Sequence, residues 1–207
     1  RPTAKPGGYL VLTDLPAGPH RLSLRCPGYQ EEWVEFSAGR DTQELDVTMK
    51  PGRGYPLQRD MIRLTLTVTE GGAPAAGRIL WLAAPGQTEL KIAQTKAEAG
   101  SASLRLFAKG AAAPAVPGTY LISDGKNSEI VLLRALEEEM GELLAPLARP
   151  HSRSRSLLPA QRYHTDGEGV LTAAFREPCA VEVCGPEGEL LAGLELTQGE
   201  NHYTIQL

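Results

Sequence analysis

GGYLVLTDLPAGPHRLSLRCPGY, residues 7–29, is the stretch that decides the fold class. Alternating leucines mark two runs within it, and these are Leu10, Leu12, Leu22 and Leu24. A period of two places alternate side chains on one face of a β-strand. Between the runs, residues 14–18 hold a proline that fixes one turn dihedral and a glycine that tolerates positive φ. The pattern predicts two strands joined as an antiparallel hairpin.

The order of residues in this stretch is more specific than a general hairpin requires. It runs G-Y-hydrophobic-D-L-P-x-G, continues to a leucine strand and ends in a second G-Y. This order resembles the carboxypeptidase regulatory-like domain family, and it is carried by Gly8, Tyr9, Asp14, Leu15, Pro16, Gly18, Leu22, Leu24, Gly28 and Tyr29. The resemblance implies a transthyretin-like, immunoglobulin-like β-sandwich of seven strands.

Composition agrees with an all-β protein and excludes several function classes. The 22 glycines and 16 prolines among 207 residues are typical of a turn-rich β protein, and the length favours two domains. A net charge of −4 gives no indication of a nucleic-acid or anionic-membrane partner. No apolar run approaches the roughly 20 residues that a membrane helix needs.

Two tandem β-sandwich modules are therefore expected: residues 1–52, a linker at 53–60, and residues 61–207. In the first module, Val34 and Phe36 mark one strand, and Leu45, Val47 and Met49 mark the clearest half-buried strand of the chain. The resemblance implies further strands ahead of residue 7. Since the chain begins without Met, we expect that the early strands of this module lie upstream.

The second module is predicted to be one sandwich with a long insertion at about residues 96–160. An alternating strand starts at Ile62, and the continuous apolar run of residues 79–82 is typical of a strand covered on both faces. Residues 166–169, DGEG, predict a hairpin turn. A calcium loop at this turn is disfavoured because the further acidic ligands are missing. The strands continue from there to Leu207.

Residues 128–147 are ambiguous. Apolar residues at helical spacing and the run Glu137–Glu139 favour a helix. Against the helix, Gly141 is central, and the following L-x-x-P-L-x-x-x-H string resembles an insertion segment that forms two strands in some bacterial regulatory-like proteins. We favour a hairpin that turns at residues 139–141.

No catalytic or metal-binding constellation is recognisable, so we expect a protein that is not an enzyme and has no cofactor or metal. None of the four histidines has metal-ligand spacing, and no P-loop, GxSxG, HExxH or Rossmann fingerprint occurs. The three cysteines have no framework spacing, which indicates a reducing, cytoplasmic site of synthesis. A basic run is the one candidate partner contact, and it comprises Arg149, His151, Arg153 and Arg155.

That basic run has three readings: a solvated loop, pairing with the acidic residues at 137–142, or contact with an acidic partner. For the whole chain, a K-P-x-G-Y hairpin, a P-G-x-x-Y-P linker and the insertion string resemble domains encoded with bacterial phage-tail-like contractile injection particles. The resemblance implies a structural or binding part of an assembly, with a protein partner or homo-oligomer and no membrane insertion. The alternatives are a cell-surface adhesin or carbohydrate-binding module, and an accessory domain of a larger enzyme.

Overall fold

In the computed structural model, which describes residues 2–5, 9–39, 45–52, 55, 61–110 and 112–207, the chain is built from β-strands. One short 3₁₀ turn, Gly125–Asn127, interrupts them in the described residues. The all-β prediction is confirmed. The chain divides into two units, Arg1–Pro56 and Leu57–Leu207. The predicted linker, residues 53–60, lies outside the described residues except for Tyr55.

Membrane-spanning helices are absent from the described part of the chain, where no helix has the length and apolar character to cross a bilayer.

The first unit contains two pairs of antiparallel strands. Its strands are β1 (Pro2–Lys5), β2 (Tyr9–Leu12), β3 (Gly18–Leu24) and β4 (Glu32–Ala38). Strand β2 pairs with β1, and β3 pairs with β4. The predicted hairpin between residues 9–13 and 21–25 is therefore wrong, because its two strands belong to different sheets. Alternation and turn residues predict that the chain changes direction, but they do not determine which strand accepts its backbone hydrogen bonds.

Strand β4 confirms the alternation of Val34 and Phe36, which are half-buried between exposed neighbours. The strand predicted at residues 45–49 is wrong: in the described part of the chain these residues have no strand partner. Backbone pairing begins only at Lys50, whose carbonyl accepts the Gln30 N–H at 2.8 Å. A strand needs a neighbour for its peptide groups, and side-chain alternation cannot supply one.

The second unit holds the remaining strands and both large cores. Its strands are β5 (Ile62–Glu70), β6 (Ala73–Pro74), β7 (Ile79–Ala83), β8 (Thr88–Ile92), β9 (Lys96–Ala97), β10 (Ser103–Gly110), β11 (Gly118–Ser123), β12 (Glu129–Glu137), β13 (Met140–Leu143), β14 (His151–Ser152), β15 (Ser156–His164), β16 (Val170–Phe175), β17 (Ala180–Cys184), β18 (Leu190–Glu195) and β19 (Glu200–Gln206).

A β-sandwich forms the first part of this unit. One layer has the order β16-β5-β19, with β19 parallel to β5 and β6 antiparallel to the end of β5. The other layer has the order β15-β7-β17-β18. The apolar core that joins the strands of both layers includes Ile62, Leu64, Leu66, Leu80, Tyr163, Val181 and Leu194. This core therefore brings together strands from the beginning and from the end of the unit's sequence.

A closed six-stranded sheet forms the second part. Its order is β11-β12-β13-β10-β8-β15, and β15 pairs back with β11, so the ring of strands has no free edge. Its interior side chains include Leu90, Ile92, Leu104, Leu106, Tyr120, Leu133, Leu143 and Leu157. Since β8 is one of its strands, the closed sheet starts at Thr88, ahead of the insertion predicted at residues 96–160.

Strand β15 belongs to both parts. Its first half, residues 156–159, pairs with β11, and its second half, residues 160–164, pairs with β7. Leu157 therefore lies in the core of the closed sheet, and Tyr163 lies in the core of the sandwich.

The continuous apolar run of β7 is covered on both faces, as predicted. Leu80 and Leu82 contact the sandwich core, whereas Trp81 and Ala83 belong to a small third cluster that also contains Leu121, Ala160 and Cys184.

The ambiguous segment is a hairpin and not a helix. Strands β12 and β13 pair with Glu137 opposite Met140, so the two turn residues are Glu138 and Glu139. Glu138 has a φ of 53°, which is uncommon for a residue with a side chain. Gly141 is buried in the closed sheet, and a Cβ at this position would approach the side chains of Leu133 and Leu106 within 2.8 Å.

The turn at residues 166–169 is tight but does not form the predicted hairpin. Strand β15 precedes it in one layer of the sandwich, and β16 follows it in the other layer. The Asp166 carboxylate accepts the N–H groups of Glu168 and Val170, each at 2.9 Å. The carboxylate is therefore used by the turn itself, which connects the two layers.

Candidate functional site

A buried cluster of charged side chains lies at the segment between β13 and β15. We call this segment, residues 144–155, the strap. The His151 side chain is fully buried, with Nε2 at 2.6 Å from Glu129 Oε1 and Nδ1 at 3.1 Å from Asp124 Oδ2. Both carboxylates are more than nine-tenths buried. Each ring nitrogen therefore faces its own carboxylate in a site that excludes water.

Glu129 is held by the strap backbone as well as by His151. Its carboxylate accepts the N–H of Ala148 at 2.8 Å and the N–H of Arg149 at 3.1 Å. Burial alone would raise the pKa of Glu129, but the hydrogen bonds from His151 and from these two amides lower it below its ordinary value. The same side chain thus joins the start of β12 to three points of the strap.

Asp124 forms the other half of the cluster. Its second oxygen, Oδ1, lies 2.7 Å from Nε of Arg155, and its own N–H donates to Ser128 Oγ at 2.9 Å. Burial by itself would lower the pKa of His151, but the hydrogen bonds to Glu129 and Asp124 raise it above its ordinary value. When His151 is protonated, two carboxylates balance one imidazolium and one guanidinium.

The basic run predicted as a partner contact is therefore largely engaged within the protein. Arg149 donates through Nη1 to the carbonyl oxygens of Lys126 and Ser128, at 3.1 and 2.9 Å. His151 faces the interior, and Arg155 binds Asp124. Arg153 is exposed, and its N–H donates to the Thr95 carbonyl at 3.1 Å. A partner contact by these four residues stays a prediction.

Sequence analysis missed Asp124 and Glu129. They stand 27 and 22 positions from His151, and no spacing rule connects residues so distant in a β protein. The acidic residues that the sequence offered instead have other partners: Glu139 pairs with Arg105 at 2.8 Å, and Glu142 pairs with Arg134 at 3.4 Å. These pairs are exposed on the outside of the closed sheet.

The cluster has no catalytic geometry in this conformation. A general base needs a free ring nitrogen within reach of a substrate, and both nitrogens of His151 are occupied at a fully buried position. No group of three or more histidine, cysteine or acidic side chains is arranged to hold a metal ion in the part of the chain that the structure describes. The arrangement can hold charge and join segments.

Burial disfavours reactivity at the two cysteines of the second unit. All three cysteines are free. Cys184 is buried in the third cluster, and burial raises the pKa of its thiol to about 12. Cys179 contacts the sandwich core, so the two side chains pack in different clusters.

An exposed apolar surface lies on the outer side of the closed sheet. We call it the outer patch and define it as Phe107, Leu132, Met140 and Leu144. These side chains are between 37% and 65% exposed. Leu144 donates its N–H to the carbonyl of Leu132 at 2.9 Å, and Met140 lies opposite Arg105, two residues from Phe107. Leu132 lies on β12, Met140 on β13 and Phe107 on β10, and Leu144 directly follows β13.

A carbohydrate-binding module would use aromatic side chains, and Trp33, Trp81 and Tyr163 each contact groups of their own unit. Trp33 lies in the first unit, with the guanidinium of Arg21 over its ring at 4.1 Å. Trp81 donates its indole N–H to the Pro186 carbonyl at 3.3 Å, and Tyr163 is buried in the sandwich core.

Comparisons with protein-family models, with curated proteins and with solved structures found no match to this chain.

Proposed function

We propose that the protein is a non-catalytic binding module and an accessory part of a bacterial multiprotein particle of the phage-tail-like kind. The observation that carries the binding role is the outer patch. Phe107, Leu132 and Met140 lie on three neighbouring strands and Leu144 directly follows one of them, and all four are exposed although these strands have a well-filled interior. Exposed apolar residues that are scattered singly are ordinary, whereas several on one face of a sheet favour an interaction surface.

The surroundings of the outer patch also support a protein partner. The exposed ion pairs Arg105–Glu139 and Arg134–Glu142 lie among these apolar side chains, with Arg105 opposite Met140. Protein interfaces combine apolar contacts with polar, solvent-accessible groups. The kind of particle is drawn from the sequence resemblance alone.

Strand addition at a sheet edge is a less favoured mode of binding. Strand β18 is an edge of the larger sandwich layer, and Leu190 and Leu191 are exposed there. However, Cys184 lies opposite Leu190 while Val183 lies opposite Ala192, so one extra residue bulges from the edge at this point. Bulges disrupt edge pairing, and natural proteins use them to prevent it.

The test compares two double variants that remove the same number of exposed leucines. Leu132→Ser with Leu144→Ser alters the outer patch, and Leu190→Ser with Leu191→Ser is the matched control on β18. Each tagged protein is expressed in the cells that normally make it, and lysates are separated by gradient sedimentation with mass spectrometry of the heavy fractions.

We expect the unaltered protein and the β18 control to sediment with tail-like particle proteins, and the patch variant to remain in the light fractions with an unchanged melting temperature. Equal sedimentation of the patch variant and the unaltered protein would refute the role of the patch. Absence of the unaltered protein from every heavy fraction would refute the assembly role.

A further inference from the structure

The strap closes one end of the six-stranded sheet and is fastened along two sides. On one side, backbone hydrogen bonds join it to residues 95–101: Leu147 N–H to Ser101 O at 3.0 Å, and Gly100 N–H to Leu147 O at 2.8 Å. The short pair β9–β14 places His151 opposite Ala97. Leu147 is buried in the core of the closed sheet, so the strap covers that core.

On the other side, the strap is fastened through charged side chains. The hydrogen bonds and ion pairs that connect it with residues 124–129 use the Asp124 carboxylate, the Glu129 carboxylate or the Arg149 guanidinium. His151 takes part in two of these contacts, one to each carboxylate. No other side chain touches both acidic residues among these contacts.

The geometry requires a particular protonation state of His151. A neutral imidazole has one N–H and one lone pair, so it can donate to only one of two carboxylates. Its other nitrogen would then direct a lone pair at an ionised oxygen in a buried site. An imidazolium donates to both carboxylates, and the charges of His151, Asp124, Glu129 and the half-exposed Arg155 then sum to zero.

We propose that the strap is a closure controlled by protonation, shut while His151 is an imidazolium and released from residues 124–129 when His151 loses its proton. Loss of the proton leaves the buried cluster with one uncompensated negative charge, which is costly in a water-excluded site. The strap then separates on its charged side and uncovers Leu147 and the core beneath it.

The charged groups around His151 determine whether a rise in pH opens or closes the strap. The carboxylates of Asp124, ahead of β12, and of Glu129, the first residue of β12, face it and favour the charged form. On the strap, Arg155 neutralises part of Asp124, and Arg149 binds backbone carbonyls. On β9, the residue opposite His151 is Ala97, and the neighbouring pair Lys96–Glu98 is exposed.

The pKa of His151 is raised in the folded protein. The contribution of the charged form to stability is therefore complete below the ordinary histidine value of 6.5 and is lost as the pH rises through the raised pKa. The strap is thus expected to open on the alkaline side.

The experiment measures the protonation of His151 and the opening of the strap in the same full-length protein. Long-range nitrogen–proton NMR spectra report whether both ring nitrogens are protonated, and amide hydrogen exchange of residues 96–101 and 144–155, corrected for the intrinsic effect of pH, reports opening. We expect exchange in these segments to rise by about a factor of ten for each pKa unit of interaction lost, with the same midpoint as the imidazole titration.

Two variants keep the test independent of a folding defect. Asp124→Asn removes one carboxylate charge and should move both midpoints to lower pH, while His202→Gln, at an exposed histidine, should move neither. The proposal is overturned if His151 is a neutral tautomer below pH 6.5, if strap exchange does not change across the titration of His151, or if Asp124→Asn leaves both midpoints in place.

Discussion

The sandwich and the closed sheet share strand β15, but they bury different kinds of polar groups. In the sandwich the fully buried polar residues are neutral: Asn201 binds the backbone of Thr197 and Gly199, and Thr165 binds that of Ala75 and Arg78. At the closed sheet they include Glu129 and His151, which are ionisable.

This difference has a structural reason. In the sandwich, Thr165 and Asn201 bind backbone groups, so neutral side chains suffice even across the 90 positions between Thr165 and Ala75. At the strap one imidazole faces two carboxylates, and charge-assisted hydrogen bonds are stronger than neutral ones. A closed sheet with a charged fastening therefore depends on pH, whereas the sandwich core does not include an ionised buried pair among its described residues.

The largest expected effects come from truncating one leucine in each core. Leu66 and Leu104 are both fully buried, and replacing either by Ala should lower the free energy of unfolding by about 2 to 5 kcal/mol. Because β15 runs through both cores, we expect each variant to lower one shared transition in urea, measured by circular dichroism and hydrogen exchange.

The control for these variants is Leu132→Ala on the outer patch, which should change stability by no more than about 0.5 kcal/mol. If Leu104→Ala accelerates exchange in the closed sheet and leaves the strands of the sandwich fully protected, the two cores unfold separately.

Glu129→Gln should have an intermediate effect and lower the free energy of unfolding by about 1 to 3 kcal/mol. The substitution removes a buried carboxylate that accepts hydrogen bonds from His151 and two backbone amides. The lowered pKa of Glu129 means that its contribution is present above the ordinary value of 4.5 and is lost as the pH falls through the folded pKa. Between neutral and acidic pH, the melting temperature of the variant should therefore fall less steeply than that of the unaltered protein.

Glu139→Gln is the matched control, since it breaks an exposed ion pair that contributes about 0 to 1 kcal/mol to the free energy of unfolding. An equal acid-side loss of stability in Glu129→Gln and in the unaltered protein would show that the charged fastening does not depend on Glu129.

Gly169→Ala should lower the same shared transition, by less than the truncation of a core leucine. Gly169 has a φ of 71°, and a Cβ there would lie 2.6 Å from the Val68 carbonyl oxygen. The left-handed conformation alone costs about 1 to 2 kcal/mol, and the close approach to main-chain atoms adds to that cost. Gly167→Ala in the same turn has open space around its Cβ and should be nearly neutral in a melting experiment. If both variants melt alike, the turn adjusts without strain.

Much of the fold follows from local pattern in the sequence. Period-two alternation predicted β4 and β5 as strands, the turn at residues 166–169 predicted further strands after it, and the continuous run of β7 predicted cover on both faces. The hairpin at residues 128–147 was harder, because its apolar residues also match a helical period. The interior of the closed sheet resolves this ambiguity by burying Leu133, Leu143 and Leu147 together.

The sequence by itself determined that this is an all-β protein, where most of its strands lie, and that tight turns separate them, because these properties depend on neighbouring residues. Only the tertiary structure decided which strands pair. It separated β2 from β3 and β15 from β16, closed six strands into a ring, and brought Asp124, Glu129 and His151 together. The physical reason is that hydrogen-bond partners and buried charges are selected by contacts between distant residues, and periodicity carries no information about those contacts.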